Sequence, residues 1–523
     1  LCKTAGLLAG VSLIHAGPAL AQLVDQTMAP NRAGAGITKS LTDEMGAGRG
    51  GVMTPGSSAF IVARDPFRAI RRGRQLFQRK YTRAQGHGPV FGDGAGDIEK
   101  DLAIGAGLVD SCAGCHGRPR GSAGAGGDVA TRPDSRDAPH LFGLGLKEML
   151  ADEITTDLRA IRTSALAEAQ QRGRPVERAL RSKGISYGRI TAHPDGTVDT
   201  SKVEGVDPDL RVRPFFAHGG TISIREFAVG AWDAEMGMQA VDSDLLLAAG
   251  GGRITTPSGM VLDGSLDELE SPRAKNDADD VDQDGLSNEI PTSLVDFMEF
   301  YLLNYFKAGT GELNAHTAAG RQHFKAIGCT GCHVPNLTIS RDRRVADVET
   351  AFDPAKGVFN RLFATATGLF DEVDDGSGFP FLKVPKGGPF VVRNIFTDFK
   401  RHDLGPAFHE RDYDGTLRTR HLTTALWGVA TTGPYGHDGR SVNLTEAILR
   451  HGGEAQAARD AFAALPPGSR GELLAFLNSL VLFPPDDTAS NLDPGDPSEP
   501  GFPQFGHGSI KLSVLFNDPA DIE

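Results

Sequence analysis

Cys112-Ala113-Gly114-Cys115-His116 and Cys329-Thr330-Gly331-Cys332-His333 decide how this chain is read, because both are C-x-x-C-H. That spacing attaches a c-type haem: two thiols add across its two vinyl groups while the adjacent histidine is carried onto the iron from one side. Other readings compete. Four cysteines in an exported chain ordinarily form two disulfides, a C-x-x-C pair can be a dithiol redox centre, and zinc takes Cys and His. Zinc lacks two further cysteines beside either pair, and a redox pair gives no reason for the histidine that follows each time. The sequence therefore predicts two covalently bound haem c groups, held by Cys112, Cys115 and His116 and by Cys329, Cys332 and His333.

The fifth cysteine, Cys2, lies in the apolar stretch Leu1 to Gln22, which carries Lys3 near its front and Ala19-Leu20-Ala21 at its end. This reads as a signal peptide over 1–21, cleaved before Gln22, and places the mature chain in the periplasm or outside the cell. Residues 22–65, rich in Gly and Ala, read as an extended N-terminal arm. Beyond it the expected order is an N-terminal haem c domain over 66–276, an acidic linker over 277–290, a C-terminal haem c domain over 291–485 and a Pro/Asp/Gly-rich tail over 486–523. Among 523 residues there are 66 Gly and 31 Pro, so long connections are expected.

Apolar spacing predicts helices over Arg68–Arg79, Leu146–Gln171 and Gly320–Ile327, with another at Leu102–Val109. Ile185 to Thr200, with His193-Pro194-Asp195-Gly196 at its turn, reads as a small hairpin. Leu294 to Phe306 is interrupted by Asp296 and Glu299, so it reads as an amphipathic helix rather than a membrane span. The fold class expected is mainly α: two cytochrome-c-like haem domains with long loops and a few short strands. No internal repeat beyond the haem motif is evident.

Asp280, Asp282, Asp284 and Glu289, with Gly285 for a sharp turn, approximate the start of a calcium loop and are candidate calcium ligands. The other reading is an unliganded acidic linker. Lys+Arg 54 against Asp+Glu 67 gives a formal charge of −13, which repels nucleic acid and anionic lipid and suits a basic soluble partner, or solubility alone.

Whether each iron's sixth position is filled separates electron transfer from chemistry on a small molecule. Asn443 and Glu446 start a helix that Gly452 ends, leaving His451 at the C-terminus, where its plain role is to complement the helix dipole. Here Ala425-Leu426-Trp427-Gly428, Pro434 to Arg440, Leu444-Thr445-Glu446-Ala447-Ile448 and His451-Gly452-Gly453-Glu454-Ala455 resemble the di-haem cytochrome c peroxidase superfamily. Gly73-Arg74-Gln75-Leu76-Phe77 and the first haem motif add to the likeness. The branch it resembles most is the di-haem oxidoreductase (thiol oxidoreductase) branch, over roughly residues 66 to 485.

In that superfamily the residue fourteen positions after the turn histidine, here His437, is the distal ligand of the C-terminal haem. It is Met in the peroxidases and His451 in this sequence. The resemblance implies an electron-transfer haem held by His333 and His451, with a potential lowered by imidazole in place of thioether. That haem is fed by a small redox protein and passes electrons to a reactive haem on His116 that reduces hydrogen peroxide. Candidates around the reactive haem are His140, and His218 beside Phe215 and Phe216. Trp232, Glu235, Met236 and Met238 follow, and His218 and Glu235 are the acid/base candidates. Core packing is the competing reading for the aromatic and Met residues, Trp232 and Trp427 included, although either Trp is also placed to bridge electrons. Rival functions are a non-catalytic di-haem electron carrier, and a haem oxygenase acting on an apolar substrate with dioxygen, as in the resembling rubber oxygenases. Modification of a partner protein, as by the methylamine-utilisation di-haem enzymes, is a further one.

Purified protein is expected to carry two haems per chain that stay attached through denaturation, read by mass and haem stain; colourless protein would remove the reading.

Overall fold

The computed structural model describes residues 40–88, 110–116, 137–281, 283–305, 309–352, 362–411 and 416–482. The expected signal peptide, most of the arm, the Leu102–Val109 helix, Asp282 and the tail lie outside these residues. The described helices are α1 (Leu41–Met45), α2 (Ser58–Arg64), α3 (Pro66–Gln78), α4 (Cys112–Cys115), α5 (Leu144–Arg172) and α6 (Ile224–Met236). They continue with α7 (Ser243–Ala249), α8 (Thr292–Leu303), α9 (Ala315–Ala326), α10 (Leu444–Arg450), α11 (Gln456–Ala464) and α12 (Pro467–Leu477).

Local chemistry sets their ends. Ser57, Asp65, Ser223 and Asn443 each accept an N–H of the first turn they precede, and Asn314 forms a capping box with Thr317. Gly173 and Gly237 end α5 and α6 at φ +61° and +63°.

The mainly α expectation is overturned. Among the described residues helix takes 38% and strand 17%. Among the described residues nineteen strands form nine small sheets, one of three strands and the rest of two. Clearly formed cytochrome-like domains are not what the structure shows. Many of the missed strands lie between Leu337 and Leu422, in pairs two to seven residues long, too short for alternation to register. The hairpin at Ile185–Ala192 and Val198–Asp199 forms as expected and gains an outer strand, Val176–Ser182. Residues 40–65 are not an extended arm either: α1 and α2 fold there, and Arg64 is buried with Asp375 at 2.5 Å.

Helix α8 is not amphipathic. Every side chain from Ser293 to Leu303 is buried, and Asp296 and Glu299 face a buried guanidinium instead of water. Arg225 donates to Asp242 at 2.6 and 2.9 Å, to Asp296 at 2.8 Å and to Glu299 at 2.7 Å, and all four side chains are fully buried. Asp296 also accepts from Ser58 at 2.5 Å, and Glu299 from Thr256 at 2.8 Å. Although it follows the boundary expected at 291, α8 lies against α3, its closest approach being at Gly73.

Two glycine-centred crossings repeat. A Cβ on Gly73 of α3 would overlap the Phe297 carbonyl of α8, and one on Gly320 of α9 would overlap the Glu472 carbonyl of α12. Phe77 meets Tyr301 at 5.8 Å, and Phe324 meets Phe476 at 5.6 Å. The residues involved are Gly73-Arg74-Gln75-Leu76-Phe77 and Gly320-Arg321-Gln322-His323-Phe324, a G-R-Q-x-F repeat that corrects the expectation of none.

Gly320→Ala is expected to lower the unfolding free energy by about 1–3 kcal/mol through overpacking. Gly468→Ala, on α12 where a Cβ meets nothing within 4 Å, should stay within about 0.5 kcal/mol. Urea denaturation distinguishes them, and equal effects would contradict the crossing.

Candidate functional site

Ser111 caps α4 by accepting from Gly114 N at 3.1 Å, so the first motif is one helical turn that ends at His116. Its imidazole Nδ1 stands 2.8 Å from the Pro139 carbonyl. In the second motif a short 3-10 turn, Cys329–Gly331, delivers His333, whose Nδ1 is 3.0 Å from the Phe396 carbonyl. That carbonyl is held by a strap: Ile395 N donates to Pro335 O at 3.0 Å and Thr397 N to Val334 O at 3.1 Å. In both motifs a backbone acceptor takes the Nδ1 proton and leaves Nε2 as the nitrogen for a metal.

His451 repeats the device from the end of α10, with Nδ1 2.7 Å from the Ala447 carbonyl. Burial pushes its pKa down. Burial also pushes His333 down to about 4, and His451 adds to the shift. His116 is lowered by burial too. All three are neutral at pH 7, the ligating form.

The four thiols are free of disulfides. Burial raises Cys112 to about 12 and Cys329 to about 11, opposite to the depressed thiol of a dithiol redox centre. Among the described residues neither motif brings both of its thiols into one group of metal-ligating atoms. Paired thiols without a disulfide, each pair followed by a neutral histidine oriented through Nδ1, fit the attachment of haem.

The aromatic residues singled out in the sequence gather at the first motif. Phe227 of α6 meets the His116 ring edge-on at 6.2 Å; Phe215 and Phe216 lie 5.9 and 5.4 Å from Phe227, and Phe216 stacks on His218 at 5.9 Å. His218 thus connects to His116 through two rings. Gly220 makes room for it, since a Cβ there would come 2.8 Å from His218 Nε2. Half-buried Glu235 is on the last turn of α6, beside Met236, whose sulfur is 3.9 Å from Cys112 Sγ. Trp232 is buried against this motif's side of the core and Met238 with it.

Burial holds His140 down at about 3, with smaller influences from Lys147, the Trp427 backbone and His116. The Trp427 ring covers Gly143, where a Cβ would come 2.8 Å from Cζ2. Next to it Leu426 N donates to Ile395 O at 3.0 Å, one residue before the carbonyl that orients His333.

Asp282 of the acidic loop lies outside the described residues, and the other candidate carboxylates accept from backbone groups. Asp280 accepts from Asp284 N and Gly285 N, Asp284 accepts from Leu286 N, and buried Glu289 takes Gln239 N at 2.7 Å. The candidate calcium ligands described are thus committed to backbone groups, and among the described residues they form no ligand cluster.

Two groups went unnoticed in the sequence. His402, between Asp398 at 2.9 Å and Glu454 at 2.7 Å, sits beside Cys332, and these partners raise its pKa to about 10. Only Glu454, inside the His451-to-Ala455 stretch, carried a signal. Glu410, His421 and His437 form the other, from three separate segments.

Residues 388–480 match the family described as "Di-haem oxidoreductase, putative peroxidase", which supports the di-haem oxidoreductase branch. No curated protein matches the chain. Among solved structures, hydrazine synthase of Kuenenia stuttgartiensis pressurised with xenon aligns at 13% identity with a TM-score of 0.22, a likeness too slight to indicate a shared fold. The alignment covers 36% of this chain and 55% of that one, so the chain spans little more than half the length of the structure it matches.

Proposed function

We propose that this chain is a di-haem c-type oxidoreductase of the periplasm or cell exterior that reduces hydrogen peroxide with electrons from a small redox protein. The observation that carries the reading is the unlike surroundings of two like histidines: His333 lies within electrostatic reach of a second, half-buried imidazole, His451, whereas His116 faces a row of phenylalanines. Bound at these two positions, haem supplies iron-centred electron transfer and the reduction of peroxide, which takes two electrons and two protons to give two waters.

The protein's own groups do the rest. Cys112 and Cys115, and Cys329 and Cys332, hold the groups covalently, and the Pro139 and Phe396 carbonyls fix the ring planes of His116 and His333. His451 closes the second site to small molecules, so no substrate enters there. Phe215 and Phe227, both buried, exclude bulk water beside His116. His218 and Glu235 hold and deliver protons at the peroxide oxygens. Trp427, against Gly143 and one residue from the Leu426 link, lies on the route between the sites. The charge of −13 gives a basic electron donor a complementary surface.

Electron paramagnetic resonance of the ferric protein tests the division of roles. One high-spin and one low-spin signal are expected, with the low-spin signal lost in His451→Ala; a spectrum unchanged by the substitution would remove His451 from the scheme. Cyanide should bind the accessible site readily, and failure to bind would favour a carrier without chemistry of its own.

His218→Ala and Glu235→Gln are each expected to lower peroxide turnover about 10²–10⁴-fold, the usual contribution of a positioned acid/base group, while the His451 signal persists. Steady-state kinetics with a reduced donor measures this.

A further inference from the structure

Glu410 sits on a strand paired with Leu417–Arg418, His421 on a strand paired with Arg401–Asp403, and His437 in the turn closed by Tyr435 and Ser441. Their side chains are 4%, 5% and 6% exposed, and one ligand atom of each lies within 4.8 Å of the other two. Glu410 Oε2 is 3.1 Å from His437 Nε2, and Oε1 is 3.5 Å from His421 Nε2. The two imidazoles stack with centroids 4.1 Å apart and planes 14° from parallel, so both Nε2 atoms turn to the same carboxylate.

At 3.1 Å the His437–Glu410 approach does not meet hydrogen-bond geometry, although the nitrogen is buried. It suits two ligands beside one ion better than a donor and an acceptor. Arg418 Nε stands 3.8 Å from Glu410 Oε1, an ion pair at the edge of the group. Three buried donor atoms that converge within 4.8 Å of one another offer a divalent cation a set of ligands from three segments. Two imidazoles and one carboxylate, mixed nitrogen and oxygen donors, select a borderline transition ion such as zinc or ferrous iron over calcium or magnesium.

We propose that Glu410, His421 and His437 bind a divalent transition-metal ion, separate from both haem irons. The ion would clip three segments together at the junction of the haem-binding regions. The His437 carbonyl accepts from Asp137 N at 2.7 Å, two residues ahead of the Pro139 carbonyl that orients His116. On the other side Phe408 lies 6.2 Å from the His437 ring and 5.3 Å from the His451 ring. The site therefore touches the supports of both regions without using a residue of either C-x-x-C-H motif, and it stands whether or not the haem reading does.

The test uses full-length protein as purified, stripped with a mild chelator and equilibrated with zinc chloride; bound zinc is measured by elemental mass spectrometry beside haem content and circular dichroism. One zinc per chain is expected in the wild type. Glu410→Gln and His421→Gln should each weaken it at least about tenfold, no less than the loss typical of groups that merely support a metal ligand. No bound zinc in the wild type, or equal retention by both variants, overturns the proposal. Should either variant misfold, zinc-edge X-ray absorption of the wild type decides: imidazole scattering supports the site, and its absence overturns it. Protein that binds zinc but carries no haem would sink the proposed function and leave this site intact.

Discussion

Arg225 is the contact on which the N-terminal half depends. A guanidinium removed from water is tolerable only if its donors are fully engaged, and here three carboxylates from two places engage them. Asp242 precedes α7, Asp296 and Glu299 are on α8, and Arg225 itself is on α6. Three carboxylates against one arginine leave excess negative charge, which Arg49 shares by standing 3.2 Å from Asp296 and 2.7 Å from Asp244. Burial nevertheless raises Asp296 to about 6. Removing one partner from such a group usually costs about 3–5 kcal/mol, because the remaining charges stay buried. The functional consequence is positional: α6, anchored at its N-terminal end by this group, carries Phe227 and, at its other end, Met236 to the first haem motif, and α8 is held where α3 crosses it.

A second constraint is that both proximal histidines are oriented by carbonyls rather than by side chains. A carboxylate would make the imidazole more basic and could be exchanged by one mutation; a carbonyl in a strap can be moved only by moving the strap. Because Pro139 is near Asp137, which bonds the His437 carbonyl, and Phe396 is next to Ile395, which bonds Leu426, each histidine's support is tied to residues of the turn segments 425–440. The two haem-binding regions are therefore not separable beads. Movement at one would be felt in the ring plane of the other.

What could be read from the sequence was local. The haem motifs, the capped helix ending at His451, the long α5 and the 193–196 turn each declare themselves within a few residues of chain. The G-R-Q-x-F repeat was equally local and was missed because its second copy lies directly against the haem motif, which drew the reading. The strands failed for another reason: two-residue ladders are fixed by what they lie against, not by alternation. Asp296 and Glu299 looked like a solvent face because their partner, Arg225, is seventy residues away. Residues 40–65 looked extended because two short helices in Gly-rich sequence show their caps, Ser40 and Ser57, more clearly than any period.

The same distinction separates the two metal readings. An acidic run such as Asp280 to Glu289 is conspicuous in sequence, but closely spaced carboxylates in a tight turn have nearby N–H groups to accept from, and here they use them. Spacing that resembles a ligand set can therefore be spent on holding its own loop. Glu410, His421 and His437 have no spacing to notice. They converge because two short ladders and a turn meet, and their side chains are buried there. Convergent donors in a dry place are the physical requirement for binding a transition ion, so a site of this kind is visible only once the chain is folded.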